Sequence, residues 1–304
     1  MQVFIAGGTG FIGPYLIREF LARGCEVKAL VRHPSRKSRL PKGVEAILGD
    51  PLTPGPWQRV CASSQVVINL VGANIFSRWT EAYKKLIRES RIQATRQIVS
   101  ALSEGAVLLN ASAVGFYGAD RGEEEITEES SPGQDFLART CQDWEKEALA
   151  GEGRGARVCL MRFGIVLGRD GGALKKMLLP FKLGLGGPLG SGRQWFPWIH
   201  VKDLTRAAYF LARKDNLSGP FNFVAPGVVR QGEFVKALAR VLRRPAFFPV
   251  PRFVLRLVFG ELAELLLGGV KAVPKRLLEA GFVFRFPEIE EALRDLLSKD
   301  PSER

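Results

Sequence analysis

The chain has 304 residues, 46% hydrophobic and 25% charged, with a formal net charge of +13. That is enough length for one large core or two ordinary ones, and the composition excludes disordered, collagen-like and disulfide-stapled classes. No run of about 18 uncharged apolar residues occurs, so no membrane-spanning helix is expected.

The first strand spans Val3–Ala6 and starts at once, which predicts that no secretory leader precedes it. Gly7-x-x-Gly10-x-x-Gly13 follows and opens a helix over Ile12–Ala22. Strand, glycine turn and helix in that order make a phosphate-binding turn. Glycine lets a pyrophosphate approach the backbone N–H groups, and the helix N-terminus adds partial positive charge. Gly7, Gly10, Phe11, Ile12 and Gly13 are therefore candidate dinucleotide contacts. The second strand, Glu26–Val31, ends in Arg32-His33-Pro34-Ser35-Arg36. An acid there would meet a ribose 2′-hydroxyl; Arg32 and Arg36 instead suit a 2′-phosphate, so NADP(H) is the expected cofactor. A third strand, Val44–Leu48, leads to Asp50, placed to meet the adenine edge.

Strands at Val66–Val71, Val107–Ala111 and Val158–Phe163 alternate with helices at Glu81–Leu102 and Phe136–Leu149, and Gly122–Gly133 reads as an acidic loop. Alternation of this kind predicts a Rossmann-type, doubly wound parallel sheet. Gly184–Gly192 is a glycine-rich loop; a helix at Asp203–Ala212 and a strand at Phe221–Val224 return to the sheet, and the chain ends in a helix at Glu288–Leu297. The expected division is a cofactor domain over 1–165 and 197–226, and a smaller discontinuous substrate domain over 166–196 and 227–304. Phe253–Val270 is apolar but interrupted by charges. It reads as a core or subunit-contact helix, which allows a homodimer; lying on a membrane is the alternative.

Cys25, Cys61, Cys141 and Cys159 form no CxxC pair, and His33 and His200 stand far apart. Reduced thiols, no metal site and a cytoplasmic location are expected. Lys and Arg run from Arg18 to Arg304 without a basic tail or nucleic-acid motif. The partner expected is a small-molecule substrate, with no specific nucleic acid.

These segments resemble the short-chain dehydrogenase/reductase superfamily in its extended, epimerase/dehydratase-like branch. The matching pieces are GGTGFIG (7–13), the strand end at Asn69–Gly72, Asn110–Gly118 with Ser112 and Tyr117, Arg162–Gly168, Trp198–Leu204 and Gly219–Phe223. SRI (90–92), DFLA (135–138), LPFKLGLGGPLGSG (179–192) and FPWIHVKDL (196–204) narrow the resemblance to the atypical thirty-nine-U epimerase class. The resemblance implies NADP(H) binding, with Asn69 and Gly72 flanking the cofactor and Ser112 binding the reacting oxygen. It also implies that Arg193, Gln194, Trp195 and Trp198 shape a substrate pocket.

The superfamily's Tyr-x-x-x-Lys pair is absent: aligned on Glu145, tyrosine's place holds Leu137 and lysine's holds Cys141. Tyr117, Asp135, Cys141 and His200 remain as proton-transfer candidates. Each also has a structural reading: a turn tyrosine, a helix cap, a core thiol, a hydrogen-bonded imidazole. Two functions stay open. One is an NADP(H)-dependent oxidoreductase or epimerase-like enzyme. The other is a cofactor-bound regulatory or scaffold protein with little turnover, for example in cell division.

Overall fold

The computed structural model describes residues 1–298; residues 299–304, the end of the expected substrate domain, lie outside the described residues. In chain order the first half runs β1 (Gln2–Ala6), α1 (Gly13–Ala22), β2 (Glu26–Val31), β3 (Glu45–Leu48), α2 (Trp57–Ala62), β4 (Val66–Asn69), α3 (Glu81–Ser100), β5 (Val107–Ala113), β6 (Asp120–Ile126) and α4 (Phe136–Leu149). The second half runs β7 (Arg157–Phe163), β8 (Ile165–Gly168), α5 (Gly172–Lys182), β9 (Trp195–Phe196), β10 (Trp198–His200), α6 (Val201–Arg213), β11 (Gly219–Phe223), β12 (Val229–Arg230), α7 (Gln231–Leu242), α8 (Arg252–Phe259), α9 (Leu262–Leu267), β13 (Gly269–Ala272), α10 (Lys275–Glu279) and α11 (Ile289–Leu297).

Seven parallel strands form the central sheet in the order β11-β7-β5-β4-β1-β2-β3. Its inner strands are buried on both faces, as continuous apolar runs require. Alternation sends Val3, Ile5, Val66, Ile68 and Leu109 to one core with Leu16, Phe20, Leu204 and Leu211 of α1 and α6. Phe4, Ala6, Val67 and Leu108 face the other way, onto Trp57 of α2, Ile98 of α3 and Ala148 of α4. Each fully buried Val, Leu, Ile or Phe among them contributes roughly 1.5–3 kcal/mol. A third core joins α5, α7 and α11 through Leu174, Phe181, Phe234, Leu238, Ile289 and Leu293.

The strand order reverses between β1 and β4, so their carboxyl ends open a crevice there. The expected boundaries hold to within two residues for the main-sheet strands and for α3, α4 and α6. Two readings are corrected. The acidic stretch is not all loop: Asp120–Ile126 is a strand pairing in parallel with β13, with only Ile126 buried. An edge strand with one buried position carries no alternating signal. Phe253–Val270 is not one core helix: it breaks into α8, α9 and the start of β13, and Phe253, Leu257 and Val258 face solvent. Among the described residues no helix is long and apolar enough to cross a membrane.

Candidate functional site

Gly7 follows β1 with φ +84, and a Cβ on it would sit 2.9 Å from the Leu70 carbonyl, so the turns after β1 and β4 touch backbone to backbone. A Cβ on Gly13 would lie 2.2 Å from the Gly8 carbonyl oxygen, which seats α1 directly on the turn. Gly10 differs. Its amide donates to the Gly7 carbonyl at 3.0 Å, and a Cβ there meets only that carbonyl, at 3.3 Å. The space beside Gly10 is open. Ile12 caps α1 without a side-chain hydrogen bond, and no acid lies in the first turn. The helix N–H groups and their partial charge are thus unneutralised toward the turn. This arrangement fits a pyrophosphate.

Phe11 leans the other way. Its ring lies 2.4–2.7 Å from the positions where Gly168, Gly171 and Gly172 would carry a Cβ, so the turn between β8 and α5 must be glycine. Tyr15 donates to Asp170 in the same turn at 2.8 Å. Burial, then Asp170, raises the Tyr15 phenol to about 12. The first turn of α1 is therefore clasped to the start of α5.

Past β2, Arg32 is exposed and leads into a short 3-10 helix, Pro34–Arg39, that carries Arg36, Lys37 and Arg39. Strand β2 neighbours β1 in register, with Ala6 opposite Leu30, so Arg32 comes level with the glycine turn. Asp50 is exposed and accepts the Leu52 amide at 3.0 Å.

Asn69 is buried, donates to Thr95 (2.8 Å) and Asn110 (2.7 Å) and accepts the Val71 amide (3.0 Å), fixing the strand end. Beside it, a Cβ on Gly72 would lie 2.9 Å from Cζ of Arg91. Arg91 donates to the carbonyls of Ile87 (2.9 Å) and Ala73 (3.1 Å) and lies over the Trp144 ring at 5.2 Å. Burial pulls its guanidinium below the ordinary value, with Cys141 the largest opposing influence. No carboxylate lies within ion-pair distance of it among the described residues. The sequence offered one signal for Arg91, the SRI stretch, without a role.

Ser112 is buried, and its hydroxyl donates to Glu145 at 2.6 Å. Glu145 is held bidentately by Arg162 at 2.8 Å through both oxygens. Arg162 also donates to the Tyr117 hydroxyl (2.8 Å), which donates in turn to Asn222 (2.7 Å). Tyr117 is fully buried, and burial raises it to about 12. As placed, this phenol is a link in a buried network: it stays protonated at neutral pH, with its proton engaged by Asn222. The Cys141 thiol is buried against Ser112 and Ala113 and raised to about 12 by burial, then by Glu145. Asp135 caps α4, accepting the Ala138 amide at 2.9 Å. His200 is buried and caps α6, far from a proton-transfer role in exposure terms.

Beyond β5 a cleft of about 210 Å³ is lined by Trp79, Gly115, Gly118, Asp135, Phe136, Leu137, Glu261 and Leu265 among others. Leu137 makes apolar the wall where the resemblance puts a phenol. The four expected pocket residues do not line this cleft; they brace its surroundings. The Gln194 amide donates to Leu189 (3.0 Å) and Leu266 (3.2 Å), and the Trp195 indole to Gly122 (3.0 Å). The Arg193 carbonyl accepts from Arg230. Trp198 belongs to the third core, its indole N–H on Gly227 at 2.9 Å.

Residues 3–224 match the NAD dependent epimerase/dehydratase family. The chain belongs to that family. Residues 250–296 further match a domain of unknown function, DUF1731. Among family members, mouse epimerase family protein SDR39U1 is 40% identical over 308 residues, covering 98% of this chain and 100% of that protein. The chloroplastic SDR39U1 homolog of Arabidopsis thaliana is 39% identical over 306 residues, covering 98% and 87%. The crystal structure of human SDR39U1 (isoform 2) with NADPH superposes with a TM-score of 0.85 at 34% identity, covering 97% of this chain and 99% of that one.

Proposed function

We propose that this epimerase-family chain binds NADP(H) over the carboxyl ends of β1, β2 and β4 and acts as an oxidoreductase or epimerase-like enzyme on a small polar substrate. The observation that carries this is the turn itself: an open face at Gly10, an uncapped α1 N-terminus and exposed Arg32 and Arg36 beside them. A human relative crystallised with NADPH supports it. In this reading Gly7, Gly10, Phe11, Ile12 and Gly13 take the pyrophosphate, and Arg32 and Arg36 the 2′-phosphate. Asp50 takes the adenine edge, and Asn69 and Gly72 shape the crevice floor. The cofactor domain is 1–165 with 197–226, and the substrate domain 166–196 with 227–304. Four buried free thiols suit a reducing compartment such as the cytoplasm.

Bound, the nicotinamide supplies hydride chemistry. Ser112 accepts from a substrate hydroxyl as it stands, because its own proton is committed to Glu145. Donating to a carbonyl would first break a charge-assisted bond. Arg91, whose charge acts on the Cys141 thiol, is the candidate for the cation that the missing lysine does not supply. A second reading, a cofactor-bound regulator with little turnover, is favoured by the same commitment of Ser112 and by the apolar Leu137 wall.

Titration with NADPH and NADH tests the first step. The parent should prefer NADPH, and Arg32→Ala should lose about 1.5–3 kcal/mol on NADPH alone; equal affinities in the parent sink the NADP assignment. Oxidation of NADPH with aldehydes, quinones and sugar nucleotides tests the second. Ser112→Ala should lower turnover about a hundredfold while binding holds. Undiminished binding with no turnover by the parent selects the regulatory reading.

A further inference from the structure

The net charge of +13 is not evenly spread once the chain is folded. Residues 171–194 hold four Lys or Arg and residues 234–260 hold six, and neither segment has an Asp or Glu. The fold lays the two side by side. The Phe248 amide donates to Gly186 at 3.2 Å, the Val250 amide to Pro188 at 2.9 Å and the Gly190 amide to Val250 at 2.9 Å. A Cβ on Gly184 would touch Pro245, and one on Gly190 would touch Arg252. Lys182, Arg243, Arg244 and Arg252 have no carboxylate within ion-pair distance among the described residues, whereas Arg240 and Arg256 reach Glu290 and Glu264.

Large apolar side chains stand out from this basic ground. Phe247 is 81%, Leu257 80% and Phe253 71% exposed; Leu179, Leu183 and Leu185 are exposed on the other segment, where Leu185 precedes the Gly186 that accepts the Phe248 amide. Phe253 and Leu257 lie one turn apart on α8; Leu179 lies in the last turn of α5, and Leu183 is the residue that caps it.

We propose that this face docks on an anionic lipid surface, with these apolar side chains in the interface and the surrounding cations on the headgroups. Charge decides the occupant. A symmetric contact between two copies would set each basic patch against itself, which like-charge repulsion opposes. A protein partner needs a shaped match at a packed core, whereas these side chains stand out into solvent. A bilayer interface accepts protruding Phe and Leu without shape complementarity and rewards a cationic rim. The inference does not depend on the enzymatic reading.

Co-sedimentation of the full chain with vesicles tests it, using phosphatidylcholine alone and phosphatidylcholine with phosphatidylglycerol in a two-to-one ratio. The chain should pellet with the anionic vesicles only and be released as salt rises. Phe253→Ser with Leu257→Ser, and separately Arg243→Gln with Arg244→Gln, should each weaken binding on the order of tenfold or more. All four positions are exposed, so thermal melting and NADPH titration should match the parent and report an intact fold. Equal pelleting with both vesicle types, or full binding by either double variant, overturns the proposal. So does no pelleting with either: a parent dimer dissociated by the Phe253/Leu257 change would then assign the face to self-association, and a monomer to an acidic protein.

Discussion

His200 is fully buried, accepts the Lys202 amide on Nδ1 at 3.0 Å and stacks on Phe286 at 4.0 Å between ring centres. Asp295 lies 3.2 Å from Nε2. Burial outweighs that carboxylate and lowers the imidazole to about 4 from an ordinary 6.5. The folded state therefore holds His200 neutral where the unfolded chain would protonate it. Stability from this group is complete above pH about 6.5, drains as pH falls and is gone near pH 4, a span worth about 3 kcal/mol. His200→Asn keeps a cap for α6 and removes the titration. Urea unfolding from pH 7 to pH 4 should show the parent losing about 3 kcal/mol more than the variant; parallel losses would place the acid sensitivity in other groups. Residue-scale reading from the sequence reached Ser112 and Tyr117 through their motif. It could not reach their partners, because Ser112–Glu145 spans 33 residues and Tyr117–Asn222 spans 105. No local spacing encodes such pairs, so the network that holds the phenol had no signature.

At the scale of elements, the strand–turn–helix unit was legible because each of its glycines has a local backbone reason. Those reasons differ, and the difference is testable. Gly13→Ala drives a methyl into the Gly8 carbonyl at 2.2 Å and must lift α1 from the turn. Overpacking of this kind costs about 1–3 kcal/mol or more, read as a lower melting temperature. Gly10→Val meets little protein, so it should melt near the parent yet lose NADPH affinity on titration. A stable Gly10→Val protein with parental affinity would put the cofactor elsewhere. Strand β6 was illegible for the opposite reason. Its sequence, DRGEEEI, buries one residue, and its pairing with β13 is set by a segment about 145 residues away. Helix α5 was missed too: Pro180 sits inside it and Gly171-Gly172 opens it, both of which argue against a helix on propensity alone.

For the whole molecule, alternation of strand and helix was sufficient to indicate a parallel sheet, since buried central strands and their covering helices leave periodic traces. The arrangement of charge was not legible in the same way. Two basic segments separated by some forty residues become one face only through the backbone contacts of 186–190 with 248–250. That face shares α5 with the clasp formed by Phe11 and by Tyr15 on Asp170. The clasp therefore puts the nucleotide turn and the lipid-facing helix into one thermodynamic cycle. If a ligand on the turn shifts the clasp, NADPH and membrane must alter each other's affinity by the same factor. Vesicle binding measured with and without NADPH should differ in the parent, and NADPH affinity with and without vesicles should differ equally. Tyr15→Phe removes the bond to Asp170 and should shrink both differences together. Identical affinities throughout in the parent would mean that the clasp holds one geometry, loaded or empty, and that what occupies the turn and where the protein sits are independent variables.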